Sequence, residues 1–174
     1  MLAKYRKTHL FDIDVPGRIT FRESDILSPG DTLATFDTPW TRFGLGICYD
    51  MRFPQLGLAL RKAGAKFLVY PGAFNMTTGP AHWELLQRSR ALDNQCFVAA
   101  VSQSRNLDAS YHAWGHSTLT DPWGTVLATT EEKPTVMVQD IDMERVDEVR
   151  TQIALGSQAR EDLYTVQWRG KRQG

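Results

Sequence analysis

Short apolar runs alternate with helical periodicities along this chain, and the alternation predicts an α/β protein. Continuous apolar runs at 43–47, 66–70 and Phe97–Val101 predict buried strands, as found in a parallel sheet that is covered on both faces. Thr32–Asp37 alternates weakly between apolar and polar positions and predicts a shorter strand.

Two helices are predicted between the three buried strands. Pro54 suits the first turn of a helix that runs to about residue 63, where Gly64 closes it. Thr78 and Pro80 mark the start of the second helix, as a cap and an early proline. Its apolar face is predicted to hold four residues at helical spacing, namely Ala81, Leu85, Ser89 and Leu92.

The C-terminal third predicts a hairpin, a further strand and a last helix. Segments 114–119 and 125–128 read as paired strands across a turn at 121–124. Segment 135–141 is another strand candidate. The last helix is amphipathic, and its apolar positions are Met143, Val146, Val149 and Ile153.

The beginning of the chain is unusual for an α/β protein. It is polar and loop-rich, with turn signals at 14–17 and 28–31, and it shows no first strand–helix unit. A parallel sheet without its first strands has an exposed edge and an uncovered face. We therefore expect the sequence to be a fragment of a larger domain.

Composition and charge exclude several function classes. The 174 residues are 42% hydrophobic and 23% charged, which suffices for one domain with a sizeable core. The 20 basic and 20 acidic side chains cancel, so there is no electrostatic basis for nucleic-acid binding, and the basic segment 169–172 is too short to change this. No apolar run approaches the ~20 residues of a membrane span.

The two cysteines and the N-terminus bear on location and metal binding. Cys48 and Cys96 do not form a CxxC motif, so a zinc site is not expected. With few cysteines and no apolar signal-peptide core, a reducing compartment is expected. We expect a cytoplasmic protein, and a mitochondrial form stays open because a targeting segment could precede these residues.

Cys48 is the best candidate for a reactive group. It lies at the end of the predicted strand 43–47, after two small glycines that suit a sharp turn, and Arg52 follows it. Partial exposure and nearby positive charge favour a thiolate. The alternative is a buried, inert cysteine, which is the interpretation we prefer for Cys96 because an apolar strand follows it.

Either a histidine or a lysine could activate Cys48. The histidines are His9, His82, His112 and His116, but the residues around Cys48 do not resemble a cysteine-protease site. Lys7 could hold the cysteine as thiolate and bind a developing oxyanion, although a surface lysine is the simpler reading of its position.

Several long motifs in order resemble the carbon–nitrogen hydrolase (nitrilase) superfamily, and most closely its omega-amidase or Nit-type branch. They are KYRKTHLFDI at 4–13, GICYDMRFP at 46–54, YPGAFN at 70–75, TGPAHWELL at 78–86, WGHS at 114–117 and DPWG at 121–124. The resemblance extends to about Tyr164. It divides the chain into 1–164, the C-terminal part of a single hydrolase domain, and a tail at 165–174.

The resemblance implies a fold and a set of catalytic residues. The fold is an αββα four-layer sandwich that often forms homodimers, here without its N-terminal part. The catalytic set is Glu-Lys-Cys, in which Cys48 is the nucleophile that forms a thioester and Lys7 stabilises the tetrahedral intermediate. The backbone N–H of Tyr49 would add to the oxyanion hole.

Further site residues are implied by motif position, each with a plainer alternative. Glu23 resembles a second glutamate near the site, or it is a surface loop residue. Arg52 would meet a substrate carboxylate, or it pairs with Asp50. Phe74 and Thr78 would line the acyl pocket, or they are a core aromatic and a helix cap.

Two departures from the family pattern stand out. Gln55 replaces the glutamate that commonly ends the nucleophile motif, and we expect little effect. The family's general-base glutamate lies far upstream of the lysine motif, whereas this chain begins inside that motif and has no acidic residue before Lys7. No position is therefore expected to take that role.

The implied reaction is hydrolysis of small ω-amides, such as 2-oxoglutaramate and 2-oxosuccinamate, to an acid and ammonia without a metal or organic cofactor. One alternative is a catalytically inactive truncated form that lacks the general base. Another is a different amidase, nitrilase or transferase specificity within the superfamily. We expect that these residues do not act alone.

Overall fold

The computed structural model describes residues 1–173 and places nine strands and four α-helices in that range. The strands are β1 Asp12–Val15, β2 Ile19–Arg22, β3 Thr32–Asp37, β4 Arg42–Leu45, β5 Phe67–Pro71, β6 Phe97–Val101, β7 Thr118–Thr120, β8 Val126–Thr129 and β9 Lys171–Gln173. The helices are α1 Pro54–Lys62, α2 Gly79–Asn94, α3 Glu144–Gln152 and α4 Leu155–Gln158. Short 3-10 helices cover Glu23–Asp25 and Cys48–Arg52.

Seven of the strands form one mixed sheet in the order β8-β7-β6-β5-β4-β3-β9. The central strands β4, β5 and β6 are parallel, as the apolar runs predicted, and α1 and α2 make their crossovers. The predicted hairpin is confirmed as the antiparallel pair β7 and β8. Segment 165–174 contributes β9, which pairs with β3 in parallel.

The main core lies between the sheet and the helices α1 and α2. Leu68 and Tyr70 from β5 and Val98 from β6 point toward this layer and are fully buried, together with Leu60 of α1 and Trp83 of α2. Residues two apart on a strand share a face, so this register follows from the sequence of β5 and β6.

The opposite face of the sheet is only partly covered. Val146 of α3 packs there against Phe67 and Phe97, whereas Phe43 and Val69 stay half-buried. The fold is the predicted α/β class, and residues 1–173 supply one helical layer and one large sheet of an αββα sandwich.

The prediction of the buried face of α2 is wrong. Leu85 is 62% exposed and Leu92 is 49% exposed, while Trp83, Gln87 and Arg90 face the core. The buried polar side chains are tolerated because backbone carbonyls accept their hydrogen bonds: Gln87 Nε2 donates to Trp83 O at 3.1 Å and Arg90 Nε to Met51 O at 3.0 Å.

The predicted strand at 135–141 is also wrong. Val136 and Val138 are 89% and 87% exposed, although Met137 packs against the α3 side of the sheet. A strand needs a partner for its backbone groups, and none pairs with this segment in the described part of the chain. Conversely, β1 and β2 form an antiparallel hairpin in the loop-rich beginning, where 14–17 was read only as a turn.

Between residues 1 and 173, no helix has the length and apolar character that a membrane crossing requires.

The corrected orientation of α2 can be tested with two leucines. Leu60→Ala removes a fully buried side chain of α1 and should lower the free energy of unfolding by about 2–5 kcal/mol, because it leaves a cavity. Leu85→Ala removes the same atoms from the exposed side of α2 and should change it by less than about 0.5 kcal/mol. Urea unfolding measures both, and equal losses would contradict the assigned face.

Candidate active site

Cys48 lies on a tight turn between β4 and the 3-10 helix Cys48–Arg52. Its φ angle is 48°, in the left-handed region that costs roughly 1–2 kcal/mol for a residue with a Cβ. Two glycines allow the neighbouring chain to approach it: a Cβ at Gly46 would overlap the Tyr70 ring, and one at Gly72 would lie 2.9 Å from Cys48 Cα. The cysteine is therefore held against the end of β5.

A buried carboxylate connects this turn to the segment that carries Lys7. Asp50 is fully buried, and its two oxygens accept hydrogen bonds from Ile47 N at 2.9 Å, Tyr5 OH at 2.8 Å and His9 N at 2.9 Å. His9 Nδ1 lies 2.8 Å from the same carboxylate and donates a fourth. One side chain thus fixes residues 5–9 beside the nucleophile turn.

Lys7 and Glu23 form an ion pair next to Cys48. Lys7 Nζ donates to Glu23 Oε2 at 2.5 Å, and these side chains are only 10% and 17% exposed. The same oxygen accepts the Phe11 N–H at 2.6 Å. Since a backbone donor and a lysine share one oxygen, the carboxylate holds Lys7 in a defined place.

The three predicted catalytic residues line one cavity of about 510 Å³. Its wall consists of Lys7, Phe11, Phe21, Glu23, Ile47, Cys48, Pro71, Gly72, Ala73, Val101, Gln103 and Tyr111. The wall is largely apolar, with one lysine, one glutamate and one thiol. No histidine lines it within residues 1–173, so the geometry favours lysine over histidine as the partner of Cys48.

The pKa of the Cys48 thiol is raised, which corrects the expectation of a ready thiolate. Burial is the largest cause, and the Glu23 charge acts in the same direction. The Ala73 backbone and the charges of Lys7 and Arg52 lower the pKa, but they do not offset burial. The surroundings of Cys48 therefore favour the thiol over the thiolate.

Arg52 lies close to the site but outside the cavity wall. Its guanidinium covers the Phe74 ring at 4.9 Å from the ring centre, and Nη1 lies 3.2 Å from His82 Nδ1. Burial lowers the pKa of this arginine. The alternative pairing with Asp50 is not seen, because the Asp50 oxygens are occupied by other donors.

Tyr49, Phe74 and Thr78 do not line the cavity either. Phe74 is 5% exposed and packs edge-on against Trp83, and Thr78 precedes α2 with its N–H and hydroxyl donated to Asn75 Oδ1. Tyr49 packs edge-on against Phe11. The packing of Phe74 matches its plainer reading as a core aromatic. Thr78 occupies the N-cap position of α2, but its side chain makes no capping hydrogen bond to the helix. The roles of both residues toward substrate stay predictions, as does that of the Tyr49 N–H.

Most of the cavity wall, including Tyr111, was not predicted from the sequence, and neither was the role of Asp50. Tyr111 lines the cavity from a loop without any motif and donates its hydroxyl to Ala73 O at 2.6 Å, and burial raises its pKa to about 12. Asp50 lies in the nucleophile motif but was considered only as a partner of Arg52. Three of its four donors come from Tyr5 and His9, more than 40 residues away, so its role in joining the two segments depends on tertiary structure.

Comparison with known proteins places this geometry in a family. Residues 1–151 match the carbon–nitrogen hydrolase family. The omega-amidase NIT2 of Homo sapiens is 60% identical over 167 residues, which cover 96% of this chain and 60% of the relative. The nitrilase homolog 2 of Dictyostelium discoideum is 56% identical over 94% of this chain and 50% of its own length.

Solved structures agree with the sequence comparison. The NitFhit protein of C. elegans superposes with a TM-score of 0.86 at 44% identity, covering 93% of this chain and 40% of that one. Saccharomyces cerevisiae Nit3, of branch 10 of the nitrilase superfamily, gives 0.80 at 45% identity, with 90% and 54% covered. The chain spans about 60% of the length of the omega-amidase relatives.

The Asp50 connection predicts a specific loss of stability. Asp50→Asn keeps the size of the side chain but turns one acceptor into a donor that faces N–H and O–H groups. We expect the free energy of unfolding in urea to fall by about 3 kcal/mol. Asp37→Asn, at a 62% exposed carboxylate paired with Arg42, is the matched control and should change it by less than about 0.5 kcal/mol. A similar loss in both variants would contradict the role of Asp50.

The charges around Cys48 predict opposite effects on its reactivity. Lys7→Gln removes a charge that lowers the thiol pKa, so alkylation by iodoacetamide at a fixed neutral pH should slow by about tenfold. Glu23→Gln removes a charge that raises the pKa, so alkylation should accelerate. The pH profile of the alkylation rate, followed by intact mass in a Cys96→Ser background, measures both. Shifts of the same sign would refute this assignment.

Proposed function

The chain belongs to the carbon–nitrogen hydrolase family, and from this premise we propose that its Cys48 site hydrolyses small ω-amides in the manner of an omega-amidase. The observation that carries the proposal is the convergence of Cys48, Lys7 and Glu23 on one cavity. The named omega-amidase relatives support the choice of an amide. We propose 2-oxoglutaramate and 2-oxosuccinamate as substrates.

The first proposed step forms a thioester. The sulfur of Cys48 attacks the amide carbonyl carbon and its proton passes to a base, while negative charge develops on the carbonyl oxygen. Lys7 and the Tyr49 N–H stabilise that oxygen. The carbon–nitrogen bond then breaks, and ammonia leaves with the proton that the base returns.

The second step returns the free enzyme. Water adds to the thioester carbonyl, gives one proton to the base, and the carbon–sulfur bond breaks to release the carboxylic acid. The sulfur takes back a proton, so the sum of both steps is amide plus water giving acid plus ammonia.

Glu23 is proposed as a positioning residue for Lys7. Glu23 Oε2 accepts hydrogen bonds from both Lys7 Nζ and Phe11 N, so this oxygen is committed to holding the lysine. Its negative charge also raises the pKa of Cys48, which opposes thiolate formation. Holding the lysine ammonium at the cavity wall is the role that both hydrogen bonds favour.

The substrate's far carboxylate is proposed to bind near Arg52. This guanidinium is half-buried, it has no carboxylate partner within residues 1–173, and its charge reaches Cys48. A planar guanidinium binds a carboxylate through two parallel hydrogen bonds. To reach substrate, Arg52 would have to turn from the Phe74 ring.

An activated ester tests the nucleophile apart from the base. Mono-p-nitrophenyl glutarate carries a carboxylate and a leaving group that departs without protonation. We expect one glutaryl group per chain on Cys48, seen by intact mass and nitrophenolate release. Lys7→Gln should slow acylation by about 10²-fold, because it removes oxyanion stabilisation.

The two cysteines provide the matched controls. Cys96→Ser, at a buried thiol outside the cavity, should acylate normally, whereas Cys48→Ala should not acylate. Acylation that persists in Cys48→Ala would refute the assigned nucleophile. Ammonia release from 2-oxoglutaramate then tests the amide step, which we expect to be much slower than acylation because ammonia, unlike nitrophenolate, leaves only after it is protonated.

A further inference from the structure

A second cavity, of about 290 Å³, shares no wall residue with the Cys48 cavity. Its volume is at the lower end of the range of small-molecule sites. It lies between α1, the end of α3 and the segment that follows α4. Its wall consists of Leu58, Arg61, Lys62, Arg150, Gly156, Ala159, Glu161, Tyr164, Thr165 and Val166.

The wall carries an excess of positive charge. Arg61, Lys62 and Arg150 face one carboxylate, Glu161, which is paired with Lys62. Within residues 1–173, neither arginine has a carboxylate within ion-pair distance. Arg61 Nη2 donates to Gln95 Oε1 at 3.0 Å. Arg150 Nη2 donates to Ala65 O at 3.3 Å and to Cys96 Sγ at 3.2 Å, so neither arginine has a carboxylate partner in the described part of the chain.

The two arginines lie in a partly buried setting that does not satisfy them fully. Arg150 Nε is buried and has no hydrogen-bond partner. Burial and the nearby Arg150 charge both lower the pKa of Arg61, which means that the two cations repel each other in a partly dry setting. A ligand that binds in the cavity would therefore meet two mutually repelling cations, and an anion between them would lower that repulsion.

Helix dipoles explain part of this arrangement. Arg61 lies in the last turn of α1 and Arg150 in the last turn of α3, where cations are favoured. A helix end supplies only about half a negative charge. This partial charge explains why one surface arginine is stabilised at the end of each helix. It does not explain why two half-buried guanidinium groups lie beside one cavity.

We propose that this cavity binds a small molecule through an anionic oxygen group, a phosphate or a carboxylate, held between Arg61 and Arg150. Guanidinium groups bind both anions with paired hydrogen bonds. Tyr164 and Thr165 line the same cavity and provide hydroxyl donors. This site is independent of the proposed amide hydrolysis.

Titration calorimetry at constant ionic strength tests the site with two probes, inorganic phosphate and succinate. We expect saturable binding of at least one, and about tenfold weaker binding in Arg61→Gln. Arg18→Gln removes the same charge from an exposed residue of the β1–β2 turn and should bind like the unmodified chain. Arg61→Lys keeps the charge but loses the paired donors, so intermediate affinity is expected.

The outcomes separate this cavity from the catalytic one. No saturable binding of either probe, equal loss in Arg18→Gln, or unchanged affinity in Arg61→Gln would overturn the proposal. The rate of Cys48 alkylation should stay unchanged at saturating probe. If the probe slowed the alkylation of Cys48, the anion would bind beside Lys7 in the Cys48 cavity, and this result would also overturn the proposal. Preference for phosphate or for succinate identifies which anion the site takes.

Discussion

The buried carboxylate of Asp50 is the interaction on which the site depends. A charge without solvent is tolerated only when donors surround it, and here the donors come from two distant parts of the chain, 5–9 and 47–50. Satisfying that charge forces the two segments together. Lys7 and Cys48 therefore face one cavity because of a side chain that does not itself line it.

The groups around Cys48 act on its pKa in opposite directions. Burial and Glu23 favour the thiol, while Lys7 and Arg52 favour the thiolate. The glutamate that weakens the nucleophile also fixes the lysine that would bind the oxyanion. In such a site the lysine would contribute most when negative charge develops on the substrate oxygen, because preorganised donors stabilise charge that forms in the transition state.

Much of the fold followed from local sequence signals. The apolar runs at β5 and β6 and the proline and glycine that bound α1 predict those elements closely, because burial and backbone geometry act locally there. The errors have tertiary causes. The polar side chains of Gln87 and Arg90 can be buried because backbone carbonyls accept their hydrogen bonds. Segment 135–141 does not form a strand because no strand in the described residues pairs with it. For the site, motif order predicted Cys48, Lys7 and Glu23, whereas Tyr111 carried no motif.

The left-handed backbone at Cys48 has an evolutionary consequence. Glycine adopts that conformation without a steric penalty, so the residue that is best for the turn differs from the residue that can attack a carbonyl. In any lineage that keeps this turn, replacement of the cysteine by glycine would remove the steric cost and the thiol together, so backbone preference and side-chain chemistry oppose each other at this position.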